Sequence, residues 1–223
     1  SLHFEQLFSS IKFFGFNNLE HKHISYGTLN DSDGNPFKTR DGGTKPLSEL
    51  FLETYAYIKK INNSLDESII SLLTNSVLTY SDLITNRKTD YKFDLEKFTN
   101  VNGKTGIYVQ YSQVRARKLL ENIEIKNNMV NHLNLNNIDK ELLSKLYLFS
   151  YFVEQSALLN EPHHLANYLY EISNLFNQFY ESEKISEIDE LDYLSSKIYI
   201  TNLFLTTSQN VMLCLGIVPV SKM

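Results

Sequence analysis

What most limits the folds open to this chain is its shortage of backbone punctuation: 8 glycines and 4 prolines in 223 residues. A β-sandwich or barrel needs a turn every few residues, and turns draw heavily on these two residue types. So sparse a supply favours long, uninterrupted helices. The turn formers are also concentrated. Asn30 to Gly43 contains Asp31, Ser32, Asp33, Gly34, Asn35, Pro36, Asp41, Gly42 and Gly43, which predicts an exposed loop.

Ahead of that loop, Leu2, Phe4, Leu7, Phe8, Ile11 and Phe14 recur at helical spacing, and Gly15 suits the left-handed residue that closes a helix. His23 to Leu29 has strand-like content in Ile24, Tyr26 and Leu29. Beyond the loop, Pro46 suits a first helical position, followed by a stripe of Leu47, Leu50, Phe51, Tyr55 and Ile58. From Asn62 onward the pattern is almost wholly helical. Asn63 or Ser64 is expected to cap a helix reaching about Tyr80. A polar patch (Thr85 to Asp90), a short element and a turn from Val101 to Gly106 follow. Further helices are expected over Ile107 to about Lys126, Asp139 to Leu159, Pro162 to Tyr180 and Ile188 to Leu215. The expected fold class is mainly α: a helical bundle after a small α/β remnant, divided near Ile61. One strand cannot make a sheet, so its partners are expected outside this chain.

Composition sets further bounds. A hydrophobic share of 42% excludes wholesale disorder. The single Cys214 cannot form an internal disulfide and reads as apolar-flanked core, which fits a reducing compartment. No apolar run approaches the roughly 20 residues of a membrane span, and the N-terminus lacks the layout of a signal peptide. A cytoplasmic protein with no membrane partner is expected. Net charge is −5, but its distribution matters more. From Asp82 to Lys118 eight bases face four acids, a local +4, whereas Glu181 to Asp192 holds six acids and one lysine, a local −5. The acidic stretch is expected to face away from any RNA.

Two places carry chemistry. Lys38 and Arg40 lie two apart in the glycine-rich loop, where cations can fold over phosphates and stabilise charge that develops during phosphoryl or adenylyl transfer. Most such pairs are simply solvated, so the composition alone is weak evidence. Tyr108 and Tyr111 stand three apart at the head of a helix that also bears Arg115 and Lys118. Exposed rings stack on splayed bases while neighbouring cations take the phosphates; the competing reading, in a chain with 14 tyrosines, is core packing. His21 with His23, and His163 with His164, lack ligand spacing for a metal and are expected to pack structurally. No phosphate-binding P-loop, dinucleotide fingerprint or nucleophile elbow occurs.

Several blocks together resemble the class I arginyl-tRNA synthetase family. They are His23-Ile-Ser-Tyr-Gly27, Gly34-Asn-Pro-Phe-Lys-Thr-Arg40, Tyr80-Ser-Asp-Leu83, Asn86-Arg-Lys-Thr-Asp-Tyr-Lys-Phe-Asp94 and Gly103-Lys-Thr-Gly-Ile-Tyr-Val-Gln-Tyr111, then Glu161-Pro-His-His-Leu165, Phe176-Asn-Gln-Phe-Tyr180 and Leu215-Gly-Ile217 with Met223 last. They run in family order over nearly the whole chain. The resemblance implies that residues 1–61 are the end of a Rossmann-type catalytic domain, that 62–106 are linking and stem-contacting helices, and that 107–223 are the anticodon-binding bundle. It implies Lys38, Thr39 and Arg40 as the signature loop over ATP phosphates, with Thr39 standing where the family carries a lysine. It further implies Tyr108, Gln110, Tyr111, Arg115, Tyr180 and Met223 as tRNA contacts.

The family activates arginine with ATP and Mg²⁺ and esterifies arginine tRNA. No His-x-Gly-His element, its other ATP signature, occurs here. The chain starts inside a helix without an initiator methionine, as a fragment does. It is therefore expected to bind tRNA as a monomer, to hold no ATP, Mg²⁺ or other metal by itself, and to make no arginyl adenylate alone; arginine and ATP would be held by the missing N-terminal half. The alternative reading is a non-catalytic helical RNA-binding or adaptor protein of synthetase ancestry.

Overall fold

The computed structural model describes residues 2–30, 46–123 and 133–223. Helix α1 (Leu2–Phe13) stops at Gly15, whose φ of +89° is the left-handed conformation a helix end requires. None of its residues is buried. Phe4 stacks on His23 at 4.2 Å and Phe8 on His21 at 5.3 Å, which gives both histidines packing roles.

The strand expected from His23 shrinks to β1 (Leu29–Asn30), paired in parallel with β2 (Tyr91–Lys92), Leu29 opposite Tyr91. The residues just before it are held singly instead of in a ladder. Gly27 N–H donates to the Arg87 carbonyl at 2.6 Å, and Thr28 N–H to Asp90 Oδ1 at 2.7 Å. That backbone bond holds the Asp90 carboxyl below its ordinary range. The two chain segments touch so closely that a Cβ on Gly27 would stand 2.7 Å from the Thr89 carbonyl.

Helix α2 (Leu47–Ile61) has Pro46 as its N-cap and not as its first helical residue, so it starts one residue later than expected. Helix α3 (Glu67–Leu83) is preceded by Asp66, not capped by Asn63 or Ser64. Ser64 is engaged elsewhere: its N–H and hydroxyl both donate to Asn62 Oδ1, closing a local turn. After β2 comes α4 (Leu95–Phe98), whose N-cap Asp94 accepts from Lys97 N–H. Helix α5 (Gly106–Glu121) is capped by Thr105 and ends before the expected Lys126.

The single helix expected over 139–159 is two. Helix α6 (Asn137–Leu146) opens with a reciprocal capping box between Asn136 and Asp139, and α7 (Phe149–Leu159) follows after a break at Tyr147 and Leu148. The break has a packing reason. Helix α6 buries Leu142, Leu143 and Leu146, whereas α7 buries nothing fully and leans on the next helix through Phe152, stacked on Tyr168 at 4.6 Å. Helix α8 (His163–Ser182), a 3₁₀ turn (Ile185–Glu187) and α9 (Leu191–Cys214) complete the bundle.

Helix α5 is the shared wall of two cores. On one side Tyr80, Tyr168, Phe176, Phe179 and Phe204 pack with α6, α8 and α9, Phe176 lying parallel to Phe204 at 4.1 Å. On the other side Ile58, Ile70, Leu73, Val77, Phe98 and Ile107 join α2, α3 and α4. At the α5 N-terminus only glycine fits, since a Cβ on Gly106 would lie 2.3 Å from the Ser76 carbonyl of α3. Lys197 is fully buried in the bundle, with Nζ at 2.6 Å from both Asp139 Oδ1 and Glu183 Oε1. Burial alone would lower this lysine, but those two carboxylates and Tyr193 hold it above its ordinary value.

Helix α9 ends in a Schellman motif. Gly216 takes a φ of +74°, Ile217 N–H donates to the Met212 carbonyl at 2.8 Å, and Gly216 N–H to that of Leu213 at 3.0 Å. Cys214, expected in the core, is exposed, because it lies on the outer side of this last turn. The reversal sends residues 217–223 back over α5 onto the α2–α3 core, where Val220 is buried and Met223 packs. Among the described residues no helix is long and apolar enough to cross a membrane.

Candidate nucleic-acid interface

Positions 108, 111 and 115 share one face of α5, three to four residues apart. That face lies against the α8 face formed by Asn174, Asn177 and Glu181. Between them the Arg115 guanidinium lies 5.2 Å from the centre of the Tyr111 ring and 4.4 Å from that of Tyr180. It donates to Asn177 Oδ1 at 3.0 Å and to Glu181 Oε1 at 2.9 Å. Asn177 is itself fixed, because its Nδ2 donates to Ser112 Oγ at 2.9 Å, and that hydroxyl donates to the Tyr108 carbonyl. The arginine is thus positioned by a chain of hydrogen bonds, not only by its own charge.

Tyr108 is half-buried and donates through its hydroxyl to Asn174 Oδ1 at 3.3 Å; burial is the main cause that raises its phenol. Tyr111 remains 41% exposed, enough to offer a ring to a ligand. Together with Asn102, Asn174 and Gln178 these groups line an open cleft of about 510 Å³. Aromatic faces, a preorganised planar cation and carboxamides suit a flat, hydrogen-bonding, negatively tethered ligand such as a splayed nucleotide.

The structure brings Tyr108, Tyr111, Arg115 and Tyr180 together and leaves two expected contacts elsewhere. Gln110 has no exposed surface: its Nε2 donates to Ser76 Oγ and the Val218 carbonyl, and its Oε1 accepts from Val220 N–H. It therefore clamps the C-terminal tail. Met223 packs with the α2–α3 core, on the side of α5 away from the cleft. Glu181, expected to face away from RNA, lines the cleft and pairs with Arg115. Lys38, Thr39 and Arg40 lie outside the described residues. Asn174, Asn177 and Gln178 were missed in the sequence, although their spacing with Glu181 places them on one helical face.

A second polar cluster marks the junction before α8. Arg87 Nε donates to the Asn160 carbonyl at 2.8 Å, and Nη1 donates to the Ser25 carbonyl. The Glu161 carboxylate stands 4.0 Å from Arg87 Nη2, 3.6 Å from Lys88 Nζ and 3.3 Å from His164 Nε2. Burial alone would raise Glu161, yet Lys88 and the two histidines hold it below its ordinary range. Burial, then His164, depresses His163. Ligand atoms of Glu161, His163 and His164 lie within 4.8 Å of one another, close enough to share a metal ion. The carboxylate charge is already met by two cations, however, so the arrangement is that of an ion-pair cluster.

Comparison with known proteins decides the family. Residues 109–223 match the DALR anticodon binding domain, more than half of the 223-residue chain. The chain belongs to the DALR anticodon-binding family. Ahead of the DALR domain, residues 1–95 match the catalytic domain of class I tRNA synthetases (R). Both matches agree with the resemblance to class I arginyl-tRNA synthetases.

The arginine–tRNA ligase of Francisella tularensis subsp. novicida is 35% identical over 209 residues, covering 89% of this chain and 36% of the relative. That of Alcanivorax borkumensis is 33% identical over 235 residues, covering 100% of this chain and 40% of the relative. The chain thus spans about two fifths of these relatives. The fold is shared with solved arginyl-tRNA synthetases from Plasmodium falciparum and Thermus thermophilus. The first has a TM-score of 0.78 at 23% identity over 99% of this chain and 39% of that one. The second has 0.77 at 20% identity over 90% and 35%. Of the residues that line the Tyr108–Tyr111–Arg115 cleft, Val101, Asn102 and Tyr108 precede the DALR match and the others lie within it.

Proposed function

We propose that this chain is the tRNA-binding part of an arginine–tRNA ligase and that the cleft around Arg115 holds the anticodon loop of arginine tRNA. The observation that carries this reading is the guanidinium held between Tyr111 and Tyr180, beside carboxamides that can read base edges. A base stacked on Tyr111 would keep its edge toward Asn174 and Gln178, and its phosphate would compete with Glu181 for Arg115. Gln110 acts at one remove by fixing the tail that ends at Met223. Residues 1–61 would close the catalytic domain, 62–106 would link it and meet the tRNA stem, and 107–223 would grip the loop. The catalytic-domain match over residues 1–95 and the DALR match over 109–223 support a catalytic part followed by a tRNA-binding part.

The whole ligase would activate arginine with ATP and Mg²⁺ in the cytoplasm. The role of Lys38, Thr39 and Arg40 toward the ATP phosphates rests on the sequence resemblance, and adenylate formation would need the half of the protein that this chain lacks. The test of the cleft is binding of an arginine-tRNA anticodon stem-loop by Tyr111→Ala and Tyr180→Ala. Each is expected to weaken binding by ~1–3 kcal/mol, the scale of one base–aromatic stack. Tyr111→Ala should do so without lowering Tm, because that ring is exposed. Unchanged binding in both variants would overturn the assignment.

A further inference from the structure

The Arg115 cleft does not end at Tyr108. Asn174, one of its walls, is also a wall of a second cavity of about 590 Å³ that includes Tyr170, Lys145 and Glu171. The Tyr170 ring lies 5.5 Å from the Tyr108 ring at an angle of 44°, so the two tyrosines form a step between the cavities. Lys104 Nζ stands 5.4 Å from the centre of the Tyr170 ring and donates to Asn167 Oδ1 at 2.7 Å. That partner is a neutral carboxamide, which leaves the ammonium charge available to a phosphate. Cation, aromatic ring and carboxamide are therefore repeated beside the first cleft in the same combination.

We propose that Lys104, Tyr170 and Asn174 form a second nucleotide station. It takes the nucleotide adjacent to the one held at Tyr111, Arg115 and Tyr180, with its base on Tyr170 and its phosphate on Lys104. The inference rests on the reading of the first cleft as an RNA interface. The charges of the second cavity sort the two ends of the nucleotide. Lys145 pairs with Glu171, so this wall offers a donor and an acceptor to a base edge instead of a bare charge. Glu141, also on this wall, repels a phosphate toward Lys104. Asn174 accepts from the Tyr108 hydroxyl and keeps its amino group for a base in either cavity.

The test uses the 223-residue chain and the arginine-tRNA anticodon stem-loop, with each loop nucleotide in turn made abasic. The wild-type protein should lose affinity at two adjacent positions. Tyr170→Leu should bind the intact loop about 5- to 150-fold more weakly, the range of one lost stack. It should also become indifferent to one of those positions while staying sensitive to the other. Lys104→Gln should keep the wild-type Tm and lower the salt dependence by about one single-strand phosphate contact, a slope change near 0.7. If Tyr170→Leu lowers Tm, Lys104→Gln alone decides. Unchanged affinity, salt slope and abasic profile in the folded variants would overturn the second station, and Tyr111→Ala losing binding in the same assay would leave the first standing. A wild-type protein indifferent to every abasic position would overturn both.

Discussion

Arg115 and Glu181 show how much of a site is decided by a single pair. The arginine side chain is 20% exposed and the glutamate 64%, so the cation is fixed while its counter-ion stands at the edge of solvent. Such a pair contributes only about 0.2–1 kcal/mol. On the proposed reading it acts as a placeholder that a phosphate displaces. Glu181→Gln is expected to raise affinity for the anticodon stem-loop by up to about fivefold at low salt, with the gain shrinking as salt rises. Equilibrium binding at two ionic strengths checks this, and a loss of affinity would mean that Glu181 itself contacts the RNA.

The sequence showed Tyr108, Tyr111 and Arg115 together, because helical spacing puts them on one face. It could not show Glu181 there: that residue is 66 positions from its partner and opens an acidic run that reads as a separate surface. Gln110 failed for a related reason. A one-residue step on a helix turns the side chain by about 100°, which moves it from the cleft to the buried side. The order of motifs revealed the family, but only packing reveals which side of α5 faces outward.

Helix α8 connects the polar junction to the cleft. It starts at the Arg87–Glu161 junction and carries Tyr180 in its last turn, so whatever fixes its start also aims its end. His163 makes that junction sensitive to pH. Its folded-state value is depressed from 6.5, by burial first and then by His164 and Arg87, with Glu161 opposing. As pH falls through 6.5 the unfolded chain takes up this proton before the folded one does, so stability is complete above that value and declines below it. Glu161, lowered from 4.5, has the same sign: its contribution is present above 4.5 and lost as pH falls through its folded value. Between about pH 7.5 and about 5.5, where only histidine titrates among ordinary groups, Tm should fall, and His163→Gln should flatten that fall. A variant with the wild-type pH profile would contradict the assignment.

At this scale the helices were legible and their ends less so. The break at Tyr147 and Leu148 carries no glycine or proline; it follows from α6 and α7 packing against different surfaces. The strand shrank because its pairing partner here is only the two residues of β2.

Over the whole molecule, α5 joins the two halves. One side packs on α2 and α3, which lie within the segment that matches a catalytic domain; the others face the bundle and the cleft. The C-terminal tail crosses the same helix through Gln110. The scarcity of glycine and proline was enough to predict a helical bundle. It could not reveal a core divided by a shared helix, since that division depends on Gly106 meeting the Ser76 backbone 30 positions earlier.

The central claim is that this architecture presents a cleft to read an anticodon. The most direct measurement is the affinity of the chain for arginine tRNA and for the same tRNA with its anticodon exchanged, over a range of salt. Both affinities should fall with salt, because phosphate contacts are common to the two. Arginine tRNA should stay about tenfold or more tighter throughout, because base contacts worth ~1–3 kcal/mol each do not depend on counter-ions. Equal affinity for the two tRNAs at every salt concentration would contradict the account.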